Sequence, residues 1–217
     1  PSVFDNIRGA TANIFEAGLT QLDARVSGSL FDLPAGPFGA ALGVDFRKEE
    51  LIGTPDENSF SSGPTSRRWQ NGNFFDPISR RRTIDAGFAE IRVPVTSERT
   101  NLPGVRLLEL SAAYRYEKYS DAGASRVPKY GVRWRPVGDE LTLRGTYSEA
   151  FVAPSLFALF GPTTEGATAA GIIQTVFGVP GFGRQRSGAN PNLKPSTAKT
   201  SSFGAVYSPK ALPRLTL

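Results

Sequence analysis

Arginine and aromatic side chains lie close together in two stretches of the sequence. These are SRRWQNGNFFDPISRRRT, residues 66–83, and GFGRQR, residues 181–186. Guanidinium groups form bidentate contacts with anionic groups, and aromatic rings stack on flat or sugar-like ones. We therefore predict ligand contacts from seven residues: Arg67, Arg68, Trp69, Phe74, Phe75, Phe182 and Arg184. The same composition would also suit simple packing of a loop.

Other kinds of chemistry are excluded by composition. The 217 residues contain no Cys, His or Met, so thiolate nucleophiles, imidazole bases and Cys/His zinc sites are impossible within the chain. Adjacent carboxylates occur at Glu49-Glu50 and Asp139-Glu140, both in or beside turns, and they form no acid/base pair of the glycosidase kind. The glycines of 181–183 lack the spacing of a dinucleotide fingerprint. We therefore expect no enzyme, no cofactor and no metal site.

The net charge of +5 and the isoelectric point near 9.7 indicate a basic protein. Its basic residues are not gathered on one periodic element, which argues against nucleic acid as the partner. The sequence has no apolar stretch long enough for a transmembrane helix. No signal peptide is visible in it, as expected if the natural N-terminus lies upstream. Because it opens at Pro1 and ends on RLTL, which resembles the start of a strand, we expect a fragment of a longer protein.

Hydrophobicity alternates with a period of two along most of the chain, which indicates β-strands. In LELSAAYRYEKY, residues 108–119, the leucines and two tyrosines share one face, and charged residues dominate the other. Short connections alternate with longer ones, and two of these are very long, at about 48–82 and 150–197. The predicted strands cover 22–30, 38–46, 86–95, 108–119, 129–136, 141–148 and 200–207, with an eighth beginning near 214.

The length of these strands favours a transmembrane barrel. Segments of about 9–12 residues suit a tilted strand that crosses a bilayer, whereas strands of soluble proteins average about 5–6 residues. Short turns that alternate with long loops are also typical of outer-membrane barrels. A soluble β-sandwich, with the apolar faces in its core, would show the same alternation and stays an alternative.

The aromatic and charged residues fit the same prediction. Two groups of aromatic residues fall near the two ends of the strands, as in the interfacial girdles of a barrel: Phe31, Phe38, Trp134 and Tyr207; Phe46, Tyr116, Tyr119 and Tyr147. Charges of both signs on the polar face can pair across the strands and line a wet lumen. Their signs are too balanced to favour a charge-specific pathway. They are Asp23, Arg25, Asp45, Arg47, Glu90, Arg92, Glu109, Arg115, Glu117, Lys129, Arg133, Arg135 and Arg144.

Two motifs resemble those of TonB-dependent receptors. YSEAFVAPSLFALF, residues 147–160, is similar to the family pattern sxgFRAPsLxELf, and NPNLKPSTAKTSSFGAVYSP, residues 190–209, is similar to NpnLkPEtsxsxxlGxxwxP. Val152 stands where the family usually has Arg, and Ser196 where it has Glu. The resemblance covers about 19–217. The motif residues are Phe151, Ala153, Pro154, Ser155, Leu156, Asn190, Pro191, Asn192, Leu193, Lys194 and Pro195.

This resemblance implies an antiparallel barrel of about 22 strands with a plug domain, of which residues 1–217 would supply about seven or eight strands and neither plug nor TonB box. It implies uptake of a bulky ligand such as a siderophore, vitamin or oligosaccharide across the Gram-negative outer membrane, energised by the TonB-ExbB-ExbD complex. The arginine-rich loop could then also contact lipopolysaccharide. Two alternatives remain open, a passive porin-like barrel and a soluble β-sandwich binding module.

Overall fold

The computed structural model describes residues 12–60, 73–98, 100, 102–167 and 184–211, and these are almost entirely β-strand. Among the described residues, no helix has the length and apolar content needed to cross a bilayer. The elements are β1 (Asn13–Leu33), β2 (Gly36–Pro55), β3 (Asn73–Phe74), β4 (Ile78–Thr96), β5 (Leu107–Tyr119), β6 (Gly123–Arg135), β7 (Leu141–Val152), α1 (Leu156–Phe160), β8 (Thr163–Ala167), β9 (Arg184–Ser187) and β10 (Ser196–Tyr207).

Seven of the strands form one open antiparallel sheet in the order β1-β2-β4-β5-β6-β7-β10. Neighbours along the sheet are also neighbours along the chain, apart from the short strands in the two longest connections. A second sheet has the order β3-β8-β9. The predicted all-β, antiparallel class is therefore confirmed. The eighth strand predicted near 214 lies outside the described residues.

The large sheet has an apolar face and a charged face. Register places Trp134 beside both Leu108 and Leu143, and Tyr130 beside both Ala112 and Tyr147, so aromatic and aliphatic side chains form rows across three strands. The apolar face comprises Leu42, Val44, Phe46, Leu108, Leu110, Tyr114, Tyr116, Tyr130, Val132, Trp134, Leu143, Tyr147 and Phe203. The charged face comprises Asp45, Arg47, Glu109, Arg115, Glu117, Lys129, Arg133, Arg135 and Arg144.

Burial on these two faces is the reverse of that in a soluble protein. On the apolar face Leu42 is 58% exposed and Phe203 is 86% exposed. On the charged face Asp45 and Glu117 are each only 8% exposed. A sheet that exposes its large apolar side chains and shields its charges is suited to an apolar solvent on one side and a polar interior on the other.

Strands β2 and β4 are longer than the sequence predicts. The connection predicted at 48–82 is shorter at both ends, because β2 continues to Pro55 and β4 begins at Ile78. Likewise, the connection predicted at 150–197 begins after Val152 and ends before Ser196, and it contains α1, β8 and β9.

The ends of β2 and β4 were not predicted as strand because both of their faces carry charged residues. Glu49 pairs with Arg82, and Glu50, on the opposite face of β2, pairs with Arg81 at 2.8 Å. These strand ends are joined by cross-strand ion pairs, so their polarity does not alternate.

The chain divides into two compact units. The sheet unit contains the described parts of 21–47, 83–153 and 195–217. The loop-rich unit contains those of 1–20, 48–82 and 154–194, including the small sheet and α1. Strands β1, β2 and β4 contribute residues to both.

Candidate functional site

The charged face of the sheet unit carries a four-charge cluster, Asp45, Arg47, Arg115 and Glu117. The carboxylate Oε1 of Glu117 accepts hydrogen bonds from Arg47 Nη2 at 2.6 Å and from Arg115 Nε at 2.9 Å. Arg115 Nη2 also donates to Asp45 Oδ2 at 3.0 Å. Tyr119 donates its hydroxyl to Glu117 Oε2 at 2.8 Å. The cluster therefore joins β2 to β5 across the intervening strand β4.

This cluster balances its own charge. It has two guanidinium groups and two carboxylates, and the side chains of Asp45 and Glu117 are only 11% and 10% exposed. Such an arrangement offers neither a free cation nor a free anion to a ligand. Its geometry favours the predicted structural lining of the charged face.

The first family motif is fixed within the loop-rich unit by Arg82 and by a helix cap. Arg82, whose side chain is 4% exposed, pairs with Glu49 and donates from Nη1 to the carbonyl of Pro154 at 2.8 Å. Ser155 caps α1, since its Oγ accepts a hydrogen bond from the N–H of Ala158 at 3.1 Å. The apolar side of this short helix is buried at Leu156, which is 6% exposed.

The second motif meets the first through backbone hydrogen bonding. Asn190 donates its N–H to the carbonyl of Ala158 in α1 at 2.9 Å. Its side-chain Oδ1 accepts from Asn192 N at 2.9 Å, and its carbonyl accepts from Leu193 N at 3.2 Å, so a tight turn precedes β10. The two motifs, separated by some 30 residues in the sequence, thus form one junction.

The two departures from the family pattern lie opposite each other. In the β7–β10 register, Ser196 is the partner of Val152. Arg and Glu at these positions would be directly opposed across the two strands. The chain has therefore replaced both members of one possible cross-strand ion pair.

Restoring that pair provides a test of the register. In a double-mutant cycle, Val152→Arg and Ser196→Glu should show a favourable coupling of about 0.2–1 kcal/mol, because directly opposed charges attract but Val152 is 64% exposed. The measurement is urea unfolding of the protein in detergent. Combining Val152→Arg with Ser202→Glu is the matched control, since Ser202 lies opposite Thr146 instead. Equal coupling in both cycles would contradict the register.

Of the seven predicted ligand-contact residues, Phe75 has a described side chain, and it is buried. Its exposed fraction is 5%, and its ring stacks on Phe15 with a centroid separation of 5.0 Å. Phe15 also makes an edge contact with Phe157 of α1 at 5.4 Å. Gly53 lies beside this cluster, where an added Cβ would lie 3.0 Å from Phe15 and 3.1 Å from Phe75. Phe75 thus packs within the loop-rich unit.

The backbone around Phe75 is anchored by Asp56. The N–H of Phe75 donates to the carbonyl of Ser59 at 3.0 Å, and Ser59 Oγ donates to Asp56 Oδ2 at 3.0 Å. Hydrogen bonds from the N–H of Ala12, from the N–H of Asn58 and from Ser59 favour the ionised carboxylate and hold the pKa of Asp56 below its usual range. The anchor is therefore charged at neutral pH.

The small sheet brings parts of the two predicted long loops together. Phe74 in β3 lies opposite Thr163 of β8, and Arg184 in β9 lies opposite Ala167 of the same strand. Thr163 and Ala167 are four residues apart along β8, which corresponds to about 13 Å. Arg67, Arg68, Trp69 and Phe182 lie outside the described residues. On the sequence alone the two loops were treated separately, and it was not predicted that they share a three-stranded sheet.

Two further observations bear on the chemistry of the loop-rich unit and of the chain. The guanidinium of Arg80 lies over the ring of Phe160 at 4.7 Å from its centroid, which is a cation–π contact. Within the ranges that the structure describes, no group of three or more acidic side chains is placed to hold a metal ion.

Comparisons with known proteins agree with the all-β fold. A family model described as TonB dependent receptor-like, beta-barrel, matches residues 3–217. The siderophore receptor PirA of Acinetobacter baumannii is 16% identical and superposes with a TM-score of 0.59 over 91% of this chain and 25% of its own. The ferric enterobactin receptor PfeA of Pseudomonas aeruginosa, solved as a mutant with enterobactin, is 20% identical, with a TM-score of 0.60 over 89% of this chain and 25% of its own.

These identities establish likeness of fold alone. The chain spans about a quarter of the length of the solved receptors that it matches. No curated protein sequence matches it.

Proposed function

Because the chain belongs to the TonB-dependent receptor β-barrel family, we propose that it forms part of the wall of an energised receptor in the Gram-negative outer membrane. The receptor takes up a bulky ligand such as a siderophore, a vitamin or an oligosaccharide. It acts as a transporter and not as an enzyme. Residues 1–217 belong to the barrel, which in the complete protein has about 22 strands and surrounds a plug.

The observation that carries this proposal is the reversed burial of the large sheet. Side chains such as Leu42, Tyr130 and Phe203 are exposed on the apolar face, whereas Asp45 and Glu117 are shielded on the charged face. The strands of this sheet run from 12 to 21 residues, enough to cross a bilayer at a tilt and to extend beyond it. Lipid against the apolar face would cover the exposed hydrophobic side chains, and a polar lumen on the other side would solvate the charged face.

The proposed mechanism involves capture and passage without covalent chemistry. Loops on the outer side hold the ligand first, through the predicted contact residues Arg67, Arg68, Trp69, Phe74, Phe182 and Arg184. Phe75, which is buried against Phe15, supports the loop from within. Passage then follows the charged face, and energy comes from the inner-membrane TonB-ExbB-ExbD complex through the plug. Lipopolysaccharide surrounds the outer ends of the strands.

Uptake in cells tests the proposal. The natural protein that contains this chain is expressed in a Gram-negative host lacking its own siderophore and vitamin receptors. Membrane fractionation should place it in the outer membrane. Growth on a panel of ferric siderophores, cobalamin or oligosaccharides as the sole source of iron, cobalamin or carbon should depend on it, and deletion of the host's TonB should abolish that growth.

A matched control separates energised from passive entry. Uptake of a small sugar through the host's own porins should be unaffected by the loss of TonB. Receptor-dependent growth that persists without TonB would contradict energised transport and would favour the passive, porin-like alternative.

A further inference from the structure

The charged face of the sheet unit has a basic region, distinct from the balanced four-charge cluster. Three successive rows cross β5, β6, β7 and β10. The middle row consists of small residues, with Gly131 flanked by Ser111 and Thr146, and with Ser202 beyond Thr146. The next row toward the β5–β6 turn contains Lys129 with Ser148 and Thr200 beside it. The floor of this region is therefore made of hydroxyl groups and glycine.

The row on the other side places two arginines next to each other. Arg133 and Arg144 are direct partners in the β6–β7 register. Like charges directly opposed across two strands destabilise a sheet unless a counter-charge neutralises them. Glu109 lies opposite Arg133 on its other side, in β5, and it repels anions from that flank.

The charges of this region are not neutralised within the described part of the chain. On β5, β6 and β7, three cations, Lys129, Arg133 and Arg144, stand against the carboxylate of Glu109. The same rows continue onto β4 with Glu90 and Arg92, one charge of each sign, so the excess is two positive charges. The Nε of Arg133 is buried and has no hydrogen-bond partner there. In the four-charge cluster, by contrast, every charged group has an ionic partner. The arginine pair therefore favours an anion supplied from outside the described residues.

Space for that anion exists above the glycine. A depression of about 420 Å³ is lined by Glu109, Ser111, Gly131, Val132, Arg133, Arg144 and Thr146. A Cβ on Gly131 would lie 2.5 Å from Ser111 Oγ, so glycine is needed for that hydroxyl to keep its position. Hydroxyl donors and guanidinium groups facing one depression are the groups that carboxylates and phosphates bind.

We propose that this basic platform, Ser111, Lys129, Arg133, Arg144, Thr146 and Ser148, binds a small solute with two or more carboxylate or phosphate groups. One anionic group lies between Arg133 and Arg144, and a second extends over the hydroxyl groups toward Lys129. Lys129 and Arg133 are four residues apart on one strand, so their Cα atoms are about 13 Å apart. The inference rests on the proposed function, in which the charged face lines the path of the ligand.

Binding of defined anions tests the platform directly. The natural protein containing this chain is purified in detergent and titrated calorimetrically with pyrophosphate and with citrate at constant ionic strength. Arg144→Gln should weaken binding of both probes at least tenfold, and Arg133→Gln with Arg144→Gln should abolish it. Arg126→Gln is the matched control, because Arg126 lies on β6 with Arg133 but on the apolar face, opposite Tyr116. It should change binding less than twofold.

Thermal unfolding provides a second readout, and its first comparison needs no bound anion. Without a probe, Arg144→Gln should raise the midpoint of unfolding, because the opposed charges no longer repel. Pyrophosphate should raise the midpoint of the wild type and leave that of the variant unchanged. Arg144→Lys, which retains the charge and loses the bidentate geometry, should show an intermediate gain and serves if the glutamine variant does not fold.

Two results would overturn the inference. One is a wild-type protein that binds neither probe, as expected if a protein carboxylate alone occupies the platform. The other is an equal loss of binding in Arg126→Gln and Arg144→Gln. Both measurements are made on purified protein without TonB, so they are independent of the uptake experiment. If the protein binds neither anion but TonB-dependent uptake is intact, this inference alone is refuted. If the protein binds the anions but uptake does not depend on TonB, the proposed function alone is refuted.

Discussion

Replacing Glu117 with glutamine should lower the free energy of unfolding by about 2–4 kcal/mol. Glu117 accepts hydrogen bonds from Arg47, Arg115 and Tyr119, and its side chain is only 10% exposed. The amide keeps the shape of the side chain but removes the negative charge. Two partly shielded guanidinium groups then share the single carboxylate of Asp45. Solvent near Arg47 and Arg115, which are 23% and 34% exposed, keeps the loss below that of a fully buried pair.

Urea unfolding of the detergent-solubilised protein, followed by the fluorescence of its two tryptophans, measures this effect. Glu50→Gln is the matched control, because Glu50 also pairs with two cations, Lys48 and Arg81, but its side chain is 35% exposed. Its effect should be much smaller. Equal effects of the two substitutions would mean that the four-charge cluster does not join β2 to β5 in the way described.

Replacing Arg82 with alanine should destabilise the loop-rich unit by about 3 kcal/mol and release α1. Arg82 is 4% exposed, and its removal leaves Glu49 without its cation and the carbonyl of Pro154 without its donor. Since that carbonyl immediately precedes the cap residue Ser155, the turn into the helix loses its anchor. The motif junction with Asn190 should loosen as well.

Limited proteolysis detects this release. Cleavage between residues 154 and 194 should become at least tenfold faster in Arg82→Ala, while the strands of the large sheet stay resistant. Arg81→Ala is the control, since Arg81 is the neighbouring residue but is 65% exposed. Unchanged cleavage in Arg82→Ala would show that α1 and the turn at Asn190 are held by other contacts.

The central strands could be predicted from the sequence because their two faces differ sharply in polarity. For β5, the predicted span 108–119 differs from Leu107–Tyr119 by one residue. The first strand was predicted too short: only 22–30 shows clear alternation, whereas β1 spans Asn13–Leu33. Pairing with β2 extends the strand beyond the segment that alternates. Backbone hydrogen bonding, which the sequence pattern does not display, determines those ends.

The candidate site was only partly accessible to sequence reasoning. The motif residues around Pro154 and Asn190 were identified, but their meeting through Ala158 depends on folding of the connection between them. The charged face was predicted as a balanced lining. That holds for Asp45, Arg47, Arg115 and Glu117, but not for Arg133 and Arg144, because balance along a sequence does not determine which charges become neighbours across strands. Register decides this, and a single sequence does not specify it.

The long connection between β7 and β10 should make the pairing of these two strands a later step of folding than the pairing of β5 with β6. Three residues join β5 to β6, whereas about 40 residues separate β7 from β10. Bringing the ends of the longer connection together costs roughly 2 kcal/mol more in chain entropy, if this cost rises with the logarithm of loop length. Contacts that order the connection itself, between Asn190 and Ala158 and between β8 and β9, reduce the effective length to be closed. The contact between the two motifs therefore lowers the entropy cost of pairing β10 with β7.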